Sequence, residues 1–383
     1  MHFCRVCGNQ TFEDPLVNFS GMPASAQGFP DKITLQADSG SDLDVVQCSS
    51  CGLVQLPGDP VPYYREVIRA VSISPEMQEF RRCQFRQLAA KYDLRGKKML
   101  EVGCGKGEYL ALMRDVGIDA CGSEYAAASA EYCQKAGLQV IRGFPDKMNE
   151  LLYGGPFDGF ACLNFMEHWP DPNTVLRTVG RNLVEGGIGL VEVPNFDMIV
   201  NKAMFSEFIP DHLLYFTKET LSFTLQYNGF EVVESEPVWH DYILSAVVKK
   251  RMRTDLGYFM KHQQRITDQI NEFVNSYPEL EVAIWGAGHQ ALAVMALAGL
   301  AEKICYVVDS APFKQGKFTT ATHIPIEPPP ELNMRPPKAV IVMAASYSEE
   351  VVGILERDYS SLIDIAVLKE DGLVQVRWMG KEM

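Results

Sequence analysis

The chain has 383 residues, 35 Lys and Arg against 49 Asp and Glu, a formal net charge of −14, and 47% hydrophobic with 22% charged residues. That length and balance suit two or three globular domains, each able to bury a core. They argue against a nucleic-acid partner, whose phosphates would meet an acidic surface. No apolar run reaches a bilayer's thickness and Met1-His2-Phe3-Cys4 does not read as a secretory leader, so a cytoplasmic protein with no membrane partner is expected.

The first feature along the chain is a pair of knuckles, Cys4-Arg5-Val6-Cys7 and Cys48-Ser49-Ser50-Cys51, each followed by glycine (Gly8, Gly52). Four thiolates at this spacing satisfy a tetrahedral zinc ion, and with all four positions filled the site reads as structural. The alternative is two unconnected pairs of buried or redox-active cysteines. The other six (Cys83, Cys104, Cys121, Cys133, Cys162, Cys305) read as small core residues. Ser20 to Asp44 is too rich in Gly, Pro, Ser and Asp to build a core without the metal, so residues 1–60 are a zinc-binding module, closed by Pro57-Gly58-Asp59-Pro60. Tyr63 and Tyr64 follow, either packed or lining a substrate pocket. A helix is expected over 75–92, with Phe80, Phe85 and Leu88 inward.

From Lys97 to Val248 strands and helices alternate: 98–102, 108–116, 119–123, 126–136, 138–141, 157–163, 172–184, 187–193, 218–228, 230–235 and 243–248. The fold class is therefore α/β, a doubly wound sheet with ligands at the carboxyl ends of its strands. At the first such end, Glu101-Val102-Gly103-Cys104-Gly105-Lys106-Gly107 joins an apolar strand to a helix, and its glycines let backbone approach a ligand closely. Glu108 stands where a dinucleotide fingerprint wants its last glycine, and Glu101 would repel a pyrophosphate while suiting a cationic amine. Glu124 ends the second strand, where a carboxylate can take two ribose hydroxyls. Phe144 follows the third, placed to stack near an adenine. The fourth leads into Asn164-Phe165-Met166-Glu167-His168-Trp169-Pro170-Asp171-Pro172. The glycine stretch resembles motif I of class I methyltransferases and the last segment their Glu-His-x-x-Asp-Pro segment, which implies S-adenosylmethionine as cofactor, held by Glu101, Gly103, Cys104, Gly105, Gly107, Glu124, Phe144 and Asn164.

Beyond the fifth strand lies Phe205 to Phe216, where Asp211-His212 offers a general base with an orienting carboxylate, although a lone loop histidine is also compatible with a structural or solvated role. His168 and His240 fall on segments expected near the same pocket, as do Tyr215 and Tyr242. Residues 252–278 form a polar helical bridge with Phe259, Ile266, Ile270 and Phe273 as its apolar stripe. Then Val282–Trp285 with Gly286-Ala287-Gly288-His289, Ile304–Asp309 and Ala339–Met343 repeat the strand logic as a second Rossmann-like sheet. It lacks a third full glycine, which argues against a dinucleotide. His289, Lys314 and His323 are candidates for holding a substrate's phosphates, with a solvated surface as the alternative for the lysines.

In this order, the zinc module (1–60), methyltransferase core with its preceding helix (61–250) and C-terminal Rossmann-like domain (251–383) resemble the three-domain C-methyltransferases that act on nucleotide-linked keto-deoxysugars. The resemblance implies that His212 removes a proton beside a ketone and that His168 supports the oxyanion. Asp211 then fixes the base, and Tyr63, Tyr64, His240 and Tyr242 border a nucleoside-diphosphate sugar. The chain departs from the family at Asp211 and Ile209, where Glu and Tyr are usual, and at His240-Asp241-Tyr242, where His-Gly-Gly is usual. Arg65–Ser72 also lacks an expected tyrosine, for which Tyr64, Tyr215 or Tyr242 are substitutes. O- or N-methylation of another glycan or natural-product precursor therefore stays open, as does S-adenosylmethionine binding without transfer.

Overall fold

The structure is a computed structural model, and it describes residues 2–66, 73–359 and 363–377. Most of Arg65–Ser72, where the family's tyrosine is expected, lies outside the described residues. Contacts divide the chain into two units, Met1–Arg253 and Thr254–Met383.

In the first unit, β1 (Val17–Met22), β2 (Ser41–Gln47) and β3 (Val54–Gln55) form a small sheet whose fourth strand, β9 (Leu214–Tyr215), comes from far along the chain. Val54 pairs with Tyr215 and Gln55 with Leu214, so the cysteine module is stitched to the residues that follow Asp211-His212. Helix α1 (Pro75–Lys91) begins where the Ser74 hydroxyl accepts the Met77 N–H and Pro75 fills the first turn. Phe85 and Leu88 are buried as expected, whereas Phe80 is half-buried against the Trp239 ring at 5.2 Å.

The large sheet contains β4 (Lys98–Val102), β5 (Asp119–Glu124), β6 (Gln139–Arg142), β7 (Phe157–Leu163), β8 (Leu183–Pro194), β10 (Phe230–Val238) and β11 (Ile243–Lys250) in the order β10-β11-β8-β7-β4-β5-β6. Only β11 runs against the others. Strand β4 lies inside the sheet between β7 and β5, and Met99, Leu100, Glu101 and Val102 are all buried, the signature of a parallel strand covered on both faces. Helices α2 (Glu108–Asp115), α3 (Ala127–Lys135), α4 (Pro172–Arg181), α5 (Phe196–Asn201) and α6 (Lys218–Tyr227) alternate with these strands along the chain. The helix expected over 172–184 stops at Arg181, and β8 starts at Leu183 rather than 187. The Gly186-Gly187 pair is a bulge inside the strand: Gly186 has φ 72° and the β7–β8 register shifts beside it.

The second unit opens with α7 (Gly257–Asn275), on which Ile270 and Phe273 are buried but Phe259 is exposed, so the apolar stripe covers only the later turns. Its sheet has β12 (Val282–Trp285), β13 (Ile304–Val308), β14 (Lys317–Phe318), β15 (Pro325–Glu327), β16 (Ala339–Val342), β17 (Asp364–Lys369) and β18 (Gly372–Arg377), ordered β14-β15-β13-β12-β16-β17-β18 with antiparallel edges. Helix α8 (His289–Leu297) follows β12, whose neighbours are β13 and β16, so strand order reverses there and opens a crevice at the carboxyl ends.

Candidate functional site

At the end of β4 the backbone turns through Gly103, Gly105 and Gly107, with φ of 72°, 55° and 79°, a region that side chains resist. A Cβ on Gly103 would lie 2.3 Å from the Phe165 ring, so the glycine lets that ring close over the turn. Nothing lies within 4 Å of a Cβ on Gly105, so this part of the loop faces open space. Gly105 N–H donates to the Glu124 carboxylate at 2.7 Å and Ala126 N–H to its other oxygen at 2.8 Å. Burial raises the Glu124 pKa despite these bonds. Cys104 is buried and a Cβ on Gly122 would meet its Sγ at 2.4 Å, so only its backbone serves the loop. Phe144 is buried edge-on to Phe165, Trp169 and Tyr64.

Beyond β7, Asn164 takes φ 51° and its Oδ1 is buried without a hydrogen-bond partner. A short turn, Met166–His168, then directs His168 toward the 209–213 loop, tied by Leu213 N–H to the Glu167 carbonyl at 2.8 Å. The His168 and His212 rings stand 4.8 Å apart and edge-on. Burial holds both neutral, lowering His168 to about 4 and His212 to about 3, each against an ordinary 6.5.

The expected pairing of the Asp211 carboxylate with His212 is not what the structure contains. That carboxylate accepts from the Ala26 N–H at 2.8 Å and the Tyr63 hydroxyl at 2.7 Å, while the Asp211 backbone carbonyl lies 2.7 Å from His168 Nδ1. A carbonyl only accepts, so Nδ1 carries the proton and the neutral ring presents Nε2 as an acceptor. His168 therefore cannot donate to an oxyanion from this state, which corrects the role expected for it.

Tyr215 is buried with its hydroxyl on the 207–209 backbone, accepting from Ile209 N–H at 3.2 Å. Tyr242 donates to Glu207 at 2.7 Å. Tyr64 is core, with the Arg65 guanidinium 4.5 Å above its ring. His240 is exposed on the β10–β11 turn, 3.6 Å from the Glu76 carboxylate, and is not brought to the imidazole pair. Its turn places Trp239, His240 and Asp241 at φ 48°, 58° and 64° in succession, which aims His240 outward.

Two family models match the chain, one described as a methyltransferase domain over residues 77–235 and one as a C-methyltransferase C-terminal domain over 249–360. Residues 77–235 are a methyltransferase domain. Among curated proteins, the ubiquinone biosynthesis O-methyltransferases of Bordetella avium and Methylococcus capsulatus are 31% and 32% identical over 99 and 111 residues. These matches cover 24% and 28% of this chain but only 41% and 46% of the relatives. Among solved structures, an S-adenosylmethionine-dependent methyltransferase from Clostridium acetobutylicum aligns at 12% identity and TM-score 0.38, covering 49% of this chain and 96% of that one.

The side chain that sequence reasoning missed in the methyltransferase domain is Glu167. It is buried, its Oε1 lies 4.0 Å from His168 Nε2, its Oε2 has no hydrogen-bond partner, and burial raises its pKa to about 8. The signal available was its place in the Glu-His segment; the expectation went to the histidine alone.

In the cysteine module, Cys4 and Cys51 Sγ are 3.6 Å apart, Cys7 and Cys48 3.4 Å, and all four lie within 4.8 Å of one another. A tetrahedral zinc site with Zn–S near 2.3 Å has sulfur edges of about 3.8 Å, so the donor set fits that ion. Gly8 and Gly52 take φ 74° and 79°, bending the backbone back at each knuckle. Of the remaining cysteines Cys83 is exposed, against the expectation of a core residue.

Within the second unit, a cavity of about 360 Å³ at the β12 switch point is lined by Gly286, Gly288, His289, Ser310, Lys314 and Tyr347, among others. Asp309 follows directly after β13 and accepts from Ala287 N–H and Lys314 Nζ, both at 2.8 Å. His323 is exposed and does not line this cavity. A cavity of about 410 Å³ also lies at the amino ends of the methyltransferase sheet, beside Lys98, Asp119 and Phe157, and none of the expected site residues reaches it.

Proposed function

We propose that this protein transfers a methyl group from S-adenosylmethionine to a carbon beside a ketone of a nucleotide-linked sugar. The observation that carries the reading is the neutral His168–His212 pair packed behind Phe165, the ring that closes over the glycine turn, in a chain that also matches a C-methyltransferase C-terminal domain. Glu101 to Gly107, Glu124 and Asn164 would hold the cofactor, Asn164 Oδ1 being a buried acceptor in need of a donor. When bound, the cofactor supplies an electrophilic methyl. His212, neutral at pH 7, would take the proton beside the ketone, and the enolate carbon could then accept the methyl in line as its bond to the sulfonium breaks, with S-adenosylhomocysteine leaving. Tyr63 and Ala26 hold Asp211, and through its carbonyl Asp211 holds the His168 tautomer, so the two imidazoles keep one arrangement.

The Cys4, Cys7, Cys48 and Cys51 cluster is read as a structural zinc site, and a nucleoside diphosphate as the ligand class of the C-terminal crevice, with His289 and Lys314 on its phosphates. The test is incubation with methyl-¹³C cofactor and a nucleotide-linked keto-deoxysugar, followed by carbon NMR. A C-methyl resonance that vanishes in His212→Asn supports the reading; unchanged turnover in that variant refutes it. O-methylation is the second reading, favoured by the likeness to ubiquinone biosynthesis O-methyltransferases, and an O-methyl resonance would identify it.

A further inference from the structure

A carboxyl group and two neutral imidazoles converge where the Met166–His168 turn meets the 209–213 loop. His168 Nε2 is an acceptor because Nδ1 gives its proton to the Asp211 carbonyl. Glu167 contributes a carboxylate whose Oε1 is 4.0 Å from that nitrogen and whose Oε2 is buried and unpartnered. His212 adds a ring nitrogen, and one donor atom from each residue lies within 4.8 Å of the others. Buried lone pairs of this kind require either a shared proton or a cation between them.

We propose that Glu167, His168 and His212 bind one divalent transition-metal ion, a site separate from the four-cysteine cluster and not dependent on the reaction proposed above. Two imidazoles and one carboxylate on one side, with coordination positions left open on the other, form a donor set suited to Zn²⁺, Co²⁺ or Fe²⁺. A hydrogen bond from the outer nitrogen of a ligating histidine to a backbone carbonyl is the support such sites use to fix the ring, and His168 has it. Donors about 2.1 Å from a metal stand roughly 3.4 Å apart at tetrahedral angles, so the residues close by less than about 1.5 Å on loading. His212, the half-buried member on a loop, makes most of that movement. An ion here takes the lone pair that proton abstraction by His212 needs, so the loaded state and that state exclude each other.

The experiment is a Co²⁺ titration of the full chain carrying one equivalent of zinc in its cysteine cluster, with excess zinc removed beforehand. Wild type is expected to bind one added equivalent, with weak visible bands and no thiolate charge-transfer absorption. Glu167→Gln, which keeps shape and removes the charge, is expected to weaken that binding by more than about tenfold. His212→Asn is expected to do the same, and S-adenosylmethionine binding in each variant reports that the domain is folded. No added equivalent in wild type would overturn the proposal and leave the shared proton as the answer. An equivalent that survives both substitutions, or one with thiolate bands, would overturn it as well.

Discussion

Gly103→Ala isolates what the glycine turn does for the site. Its φ of 72° places an alanine in the left-handed region, at a cost of about 1–2 kcal/mol. The new methyl would lie 2.3 Å from Phe165 Cδ1 and 2.4 Å from Cε1, so the ring must retreat by more than about 1 Å to reach ordinary contact. Phe165 has no free direction, since its centroid is 5.7 Å from Phe144, 5.9 Å from Trp169 and 6.1 Å from His168. Overpacking of this kind costs about 1–3 kcal/mol, so the total is about 2–5 kcal/mol. Gly105→Ala is the control: at φ 55° with nothing within 4 Å of the added carbon, it carries the backbone cost alone. Urea unfolding of both variants, with calorimetric titration of S-adenosylmethionine, gives the comparison. Gly103→Ala is expected to be the less stable by about 1–3 kcal/mol. Equal stability in the two variants would refute the idea that Phe165 is wedged against this turn.

Tyr63→Phe removes a hydroxyl donor from the buried Asp211 carboxylate, leaving Ala26 N–H as its remaining described donor. The expected cost is about 1–3 kcal/mol with lower turnover and unchanged cofactor affinity, checked by unfolding, kinetics and calorimetry. Cys48→Ser is expected to lower bound zinc, measured by elemental analysis, and to reduce turnover more than cofactor affinity, because β3 holds β9 beside His212. In the metal-free protein, burial keeps His168 and His212 deprotonated down to about 4 and 3 while the unfolded chain protonates them near 6.5. Glu167 stays protonated to about 8 when folded but ionises near 4.5 when unfolded. Between 4.5 and 6.5 the unfolded state thus holds a net extra proton, and stability rises by about 1.4 kcal/mol per pH unit. From 6.5 to 8 only the Glu167 imbalance remains and stability falls at a similar rate. Denaturation midpoints across pH 5 to 8 should peak near 6.5, and Glu167→Gln should abolish the alkaline fall and roughly double the slope below 6.5, because the folded state then holds no compensating proton; a wild-type profile that stays level above 6.5 would count against a neutral Glu167.

The large sheet was readable because its strands are short apolar runs ending in functional residues: Lys98–Val102 and Phe157–Leu163 were expected to the residue. The β8 start was misplaced because two glycines between apolar stretches look the same whether they form a loop or a bulge. The site was legible only in part, for a physical reason. Which residues face each other across the pocket depends on contacts between stretches distant in sequence, and those set the chemistry. Asp211 beside His212 suggested a pair, yet the carboxylate is taken by Tyr63 and Ala26, from segments that fold back over the loop. His240 drew attention as a third histidine, but three successive left-handed residues turn it outward.

The cysteine module gains a role from the same contacts. Its β3 strand pairs with β9, three residues after Asp211, while Arg5 donates to the Pro170 carbonyl at 3.2 Å and Asn173 donates to the Val6 carbonyl at 2.7 Å. The segments carrying His168 and His212 are thus both anchored to residues within or beside the knuckles, and not to each other alone. Each anchor is a hydrogen bond to or within the backbone, worth about 0.5–1.5 kcal/mol singly, but together they fix two loops that the methyltransferase sheet leaves free at its rim. Because the imidazoles stand only 4.8 Å apart, a shift of 1 Å in either loop would change whether a proton or a cation can be held between them. The cysteine module is therefore where the fold anchors both loops that carry the imidazole pair.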